Sequence, residues 1–194
     1  MRHIALGLLL ILVAVAAGCR HREEKSSNGS VTKDFVSGGN AQITLESGSY
    51  DVKAGTDNRV HVEWTGEGYK EARVTVTVNG TSAEVKAENT PEHFHATIEL
   101  PANTNLRVDL GAGELNVADV KGNKEIDAKA GNVTINVGKS SDWWIVEASV
   151  QAGNLDAPAF QSNQSGLLRS FHWNGPGKYR LHVNLAAGNL KLLS

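Results

Sequence analysis

Asp109 and Asp127 are the residues of this chain best placed for acid–base chemistry. They occupy equivalent positions of a repeated pattern, so stacked repeats would set them side by side. A pair of carboxylates facing a glycosidic bond can serve as acid and base in its hydrolysis. Asp127 also lies close to Glu125 and Lys129, a setting that suits a solvated charged face equally well. His93 and His95, in Pro91-Glu92-His93-Phe94-His95, would share one face of a strand. Imidazoles two residues apart can chelate zinc or copper, but a third ligand would have to come from His61 or His182 through the fold. In Trp143-Trp144 the two rings should point to opposite faces. Trp144 is in phase with Val146, Ala148 and Val150, which makes it a core residue, and Trp143 is then outward. An outward Trp143, with Trp173 nearby, is either a binding surface or covered by the segment 161–178. Cys19 is the single cysteine, so neither a disulfide nor a multi-cysteine metal site can form within the chain.

No phosphate loop, nucleotide-binding glycine fingerprint, serine elbow or zinc-protease helix motif is present. Gly111-Ala112-Gly113 and Gly175-Pro176-Gly177 lack the third glycine of a dinucleotide site and read as turns. No cofactor is expected. The formal charge of −2 over 194 residues gives no basic excess and argues against a nucleic-acid partner. Asn28, Asn79, Asn132 and Asn163 match the glycosylation sequon, a three-residue pattern short enough to recur by accident.

The elements that must position these residues follow a signal at the N-terminus. Met1-Arg2-His3 is a short positive start, and Ile4 to Ala17 is an uncharged apolar run. The run is too short for the ~20 residues that span a bilayer and reads as a secretory signal over residues 1–18. Residues 19–33 are polar, mixed in charge and poor in anything to bury, so they read as a flexible tether. The domain is expected over 34–194.

From residue 34 the governing period is two. Arg73 to Val78 alternates β-branched residues, meets Asn79-Gly80, and is followed by Ser82 to Ala87, which is a hairpin pattern. Arg59 to Trp64 and His95 to Leu100 are further strands. Five segments repeat one layout of apolar alternation, a small residue, glycine, a polar residue and renewed alternation. Their glycines are Gly48, Gly113, Gly131, Gly153 and Gly188. At each glycine the alternation slips by one residue. A flat strand with that slip would turn its apolar side chains outward. The backbone must therefore bulge or turn a corner there, which glycine permits. The fold class is all-β. Repeats near 20 residues with glycine corners suit a solenoid, a single-stranded β-helix or β-roll, with 161–178 as an inserted loop. Antiparallel hairpins in a β-sandwich are the alternative. Stacking would align Asn132, Asn154 and Asn189 into an amide ladder.

Two resemblances add to this. Val15-Ala16-Ala17-Gly18-Cys19 resembles the lipobox of bacterial lipoproteins, with Ala16 where leucine is commoner. That resemblance implies cleavage before Cys19 and acylation of its thiol and new amino group, hence a membrane anchor in the cell envelope. Arg20, rather than aspartate, follows the cysteine and favours the outer membrane in a Gram-negative host. Leu100-Pro101-Ala102-Asn103-Thr104-Asn105-Leu106-Arg107-Val108, followed by Gly111 to Val117, resembles a bacterial family of adhesin-like domains of unknown function over roughly residues 35–194. It implies an envelope-exposed β-solenoid or β-roll with no catalytic residues to carry over. The expectation is a lipid-anchored, non-catalytic binding, adhesion or scaffold module for a protein or polysaccharide ligand. A polysaccharide-acting β-helix enzyme and an envelope-sensing partner protein are the alternatives. Oligomeric state stays open.

Overall fold

The computed structural model describes residues 25–68 and 71–194. Cys19, the apolar leader and the tether up to residue 24 lie outside the described residues. Among the described residues, every regular element except two single 3-10 turns, Ser140–Asp142 and Pro158–Phe160, is a strand. In chain order these are β1 (Lys25–Ser26), β2 (Gly29–Asp34), β3 (Asn40–Gly55), β4 (Arg59–Thr65), β5 (Glu67–Gly68), β6 (Arg73–Asn79) and β7 (Ser82–Glu88). They continue with β8 (His95–Pro101), β9 (Asn105–Ala118), β10 (Lys124–Asn136), β11 (Trp143–Ala157), β12 (Ser162–Asn174) and β13 (Tyr179–Leu193). Eleven of them form one open sheet, and β1 and β5 pair apart from it. The fold is all-β.

The five glycine segments are the long strands β3, β9, β10, β13 and β11. They run parallel and in register, with Gly48 opposite Gly113, Gly113 opposite Gly131, Gly131 opposite Gly188, and Gly188 opposite Gly153. On β10, Ile126 and Ala128 are buried before the glycine and Val133 and Ile135 after it, and all four belong to one core. Because the inward phase slips by one at Gly131, both halves can bury their apolar side only if the sheet folds over along the glycine line. The halves before the glycines make a first layer that continues through β7 and β6. The halves after them make a second layer that continues through β8, β4 and β2.

The glycine line needs glycine for two reasons, both visible at Gly131. Its φ of +125° lies where other residues are strained. A Cβ there would also collide with the carbonyl oxygen of Gly113 on the adjoining strand. Gly113, Gly188 and Gly153 repeat this approach against their own neighbours, so the corners nest backbone on backbone.

Three expectations need correction. The stack does not follow chain order, because β13 lies between β10 and β11. The five patterns are close to interchangeable, so nothing in them ranks their neighbours. β11 also turns tightly into β12, which takes one of its sides and leaves the other to β13. The segment 161–178 is not chiefly a loop. Ser162–Asn174 is a strand antiparallel to β11 along its whole length, and its sparse apolar content reflects its place at the edge. Finally, residues 29–33 are not tether. They belong to β2, where Val31 opposes Val62 and packs on the core while the remaining polar side chains face out, as an edge strand allows.

Candidate binding face

Every second residue of the first layer points outward, and in-register stacking turns these positions into rows that cross the strands. One row reads Thr77, Glu84, Gln42, Arg107, Glu125, His182, Glu147 and His172. Arg107 Nη1 donates to Glu125 Oε1 at 2.9 Å and its guanidinium also approaches Asp109 and Asp127, at 3.8 and 3.9 Å. Glu147 lies between His182 and His172, at 3.4 and 3.6 Å. The adjoining row is rich in amides. Asn105 Nδ2 donates to Asn40 Oδ1 at 3.1 Å, and Asn105 Oδ1 accepts from the Asn123 backbone. Asn123 Oδ1 in turn accepts from the Arg180 backbone.

These two rows line a groove of about 870 Å³. Its walls draw on seven strands or their flanks, from Asn79 on β6 through Asn40, Asn105, Asn123 and Arg180 to Ile145 and Glu147 on β11. At the β11 end an exposed Trp144 stands beside it. The Arg180 guanidinium lies over that ring, 4.6 Å from its centroid, and among the described residues no carboxylate pairs with it. Cation–ring stacking holds the arginine in place while leaving its N–H groups free to bind.

The two tryptophans are the reverse of the sequence expectation. Trp143 is 2 % exposed, and its Nε1 donates to the Val137 carbonyl at 2.8 Å. Trp144 is 48 % exposed. The reason is a bulge: Trp143 opposes Tyr179 and Ile145 opposes Arg180, so Trp144 is an extra residue on its strand. Counting by twos across an unseen bulge inverts every assignment upstream of it. Trp173 is not on an outer binding surface either. It is half-buried, packs on the core, and its ring centroid lies 5.1 Å from that of Phe160. The exposed tryptophan of this face is therefore Trp144, with Arg180 beside it, and the sequence offered no signal for the bulge that exposes it.

The other candidates resolve simply. Asp109 and Asp127 are cross-strand neighbours, and Asn184 Nδ2 donates to Asp127 at 3.0 Å. With Arg107 and Glu125 they form one exposed ion cluster. His93 lies in the turn before β8 rather than on it, and His95 approaches Asp51 at 3.5 Å. Among the described residues, no group of three or more His, Cys, Asp or Glu is arranged to hold a metal. The asparagines form a ladder in spatial rather than chain order: Asn154 donates to Asn189 at 2.7 Å and Asn189 to Asn132 at 2.8 Å. Lys124, which sequence reading passed over, faces inward at a position filled by Leu106 and Leu181 on the adjoining strands. It is 3 % exposed, lies over the Trp143 ring at 4.8 Å and bonds only the Gly122 carbonyl, so burial lowers its pKa to about 8.

Among solved structures, this architecture is shared with a protein from Clostridium sporogenes described as a cell adhesion protein. The TM-score is 0.51 at 12 % identity, over 86 % of this chain and 99 % of that one. A Parabacteroides merdae protein described as an adhesin aligns with a TM-score of 0.34 at 11 % identity, over 87 % of this chain and 78 % of that one. No protein-family model matches this chain, and no curated protein matches it in sequence. At such identity the first likeness establishes a common fold and nothing finer.

Proposed function

We propose that this chain is a non-catalytic binding or adhesion module of the bacterial envelope, whose working surface is the groove across the first layer. The observation that carries this reading is the groove itself: a channel crossing seven strands and lined by both polar and apolar side chains, with an exposed tryptophan and a ring-stacked guanidinium at one end. Tryptophan and arginine are over-represented among the residues that dominate binding interfaces. The neighbour described as a cell adhesion protein is compatible with it. The glycine-cornered parallel strands are, in this reading, a solenoid-like unit that supplies a broad and rigid face. The lipobox at Cys19 would hold that face at the membrane surface.

The test uses the full-length protein in a zwitterionic detergent, mixed with isolated native envelope fragments freed of lipid. Wild-type protein is expected to sediment with them, and a Trp144→Ala/Arg180→Ala variant to stay in solution. Equal sedimentation of both would overturn the assignment of the groove. For the anchor, Cys19→Ser is expected to abolish metabolic labelling by a fatty-acid probe, and persistent labelling would refute it.

A further inference from the structure

The groove is open and runs across the strands, with polar side chains that differ from one strand to the next. Strand spacing is about 4.8 Å, so seven strands give a channel of roughly 29 Å. A ligand that uses it fully must itself be extended and must present its groups in step with that spacing or with a multiple of it. An extended peptide presents side chains on one face about every 6.7 Å and drifts out of phase within two strands. A single-stranded nucleic acid would require an excess of cations. Here Glu84, Glu125 and Glu147 are matched by Arg107, Arg180 and the buried Lys124, with His182 among them.

A pyranose chain with equatorial 1,4-linkages is an extended ribbon that advances about 5 Å per sugar, with alternate sugars turned over, so like groups on one edge recur about every second strand. Its hydroxyl edges accept and donate hydrogen bonds, as the groove's amides do, since each Asn or Gln offers both an acceptor and two donors. Asn40, Gln42, Asn79, Asn105 and Asn123 supply five such amides on or beside four of the seven strands, with N–H groups left over from the bonds they make among themselves. The C–H faces of the same sugars are apolar and pack flat on an indole, which Trp144 offers at the channel's end. The Arg180 N–H groups left free by stacking would bind ring or acetamido oxygens of the terminal sugar.

We therefore infer that the groove is a binding site for a linear, β-1,4-linked polysaccharide of low charge, lying across the strands with one sugar to each strand. This rests on the groove being the working surface, and the experiment separates the two claims. The full-length protein is titrated with β-1,4-linked oligomers of glucose and of N-acetylglucosamine, and with α-1,4-linked glucose oligomers, whose chain curls. Intrinsic tryptophan fluorescence is the readout. Affinity should climb with length up to about six β-linked units and then level off, since the channel holds about one sugar per strand. Trp144→Ala should weaken binding by about tenfold or more and remove most of the fluorescence change, Asn105→Ala should weaken it less, and Lys33→Ala on β2 should leave it unaltered.

Equal binding of α- and β-linked oligomers, or affinity independent of length, would overturn the sugar-per-strand geometry. If no oligomer binds while the groove variant still fails to sediment with envelope fragments, the polysaccharide is the wrong ligand and the groove remains the working surface. If the groove variant also sediments like wild type, both claims fall.

Discussion

Lys124 shows how one residue can set the pH response of the whole domain. Its ordinary pKa of 10.5 drops to about 8 because burial among Leu106, Leu181 and Trp143 disfavours the charged ammonium. Below pH 8 both folded and unfolded chains carry the proton, and the folded state bears the full cost of an almost unpaired buried charge. Between pH 8 and 10.5 the unfolded chain binds more protons, so stability climbs with pH, by about 3 kcal/mol in total. Tyr50 acts in the opposite sense. Burial raises its pKa above the ordinary value of 10, so the folded state keeps a proton that the unfolded chain loses, and stability falls beyond pH 10. Urea unfolding from pH 7 to 11 should therefore show a maximum near pH 10. Lys124→Met should be more stable than wild type at pH 7 and should lose the rise. A flat wild-type profile between pH 7 and 10 would refute this assignment.

Gly131 belongs to the same scale. Alanine there would meet the Gly113 carbonyl oxygen and would also have to hold a φ of +125°. Gly131→Ala is expected to destabilise by about 3 kcal/mol or more in chemical denaturation. Gly80, at the hairpin between β6 and β7, is the control. Its φ is +58°, but an added Cβ would meet open space, so Gly80→Ala should cost only about 1 kcal/mol. Comparable losses at both sites would remove the backbone contact as the reason for the glycine line.

At the scale of the element, β12 combines edge position, strain and exposure. Among the described residues it pairs only with β11, and Leu168, which faces Gln151 where the ladder is interrupted, has a φ of +54° and is 82 % exposed. A leucine in the left-handed region with no burial to offset the strain makes a poor local choice. Leu168→Gly should stabilise the domain by about 0.5–1 kcal/mol, read as a shift in the urea midpoint at constant slope. A loss of stability would mean that this leucine is buried in the working assembly. The amide ladder is the better-behaved element. Asn189 accepts from Asn154 and donates to Asn132, so it joins three strands along the outside of the glycine line.

Across the whole molecule, the glycine corners serve as a hinge line along which one sheet becomes two layers. That line keeps the before-glycine halves together as one face, and the in-register stack turns scattered outward residues into continuous rows. Residues as distant in the chain as Asn40, Asn105 and Arg180 come to line one groove for this reason alone. Asp109 and Asp127 were legible as neighbours because they share a repeat position, and the structure sets them opposite each other. The groove was not legible, since its curvature and depth come from how the layers bend.

What the amino-acid sequence determined by itself was local and periodic. Alternation dictated strands, Asn79-Gly80 dictated a hairpin, and the one-residue slip at each glycine required a corner if both halves were to share a core. Tertiary structure decided whatever depends on comparing near-equal alternatives. It placed β13 between β10 and β11, made an edge strand of 162–174, drew 29–33 into the sheet, and put a bulge at Trp144. Repeats with the same pattern compete on nearly equal terms for each slot, and a single bulged residue changes few local contacts while inverting which tryptophan is exposed. Differences that small in local energy are settled by the packing of the whole, which is why the groove and its exposed tryptophan could be read only from the folded chain.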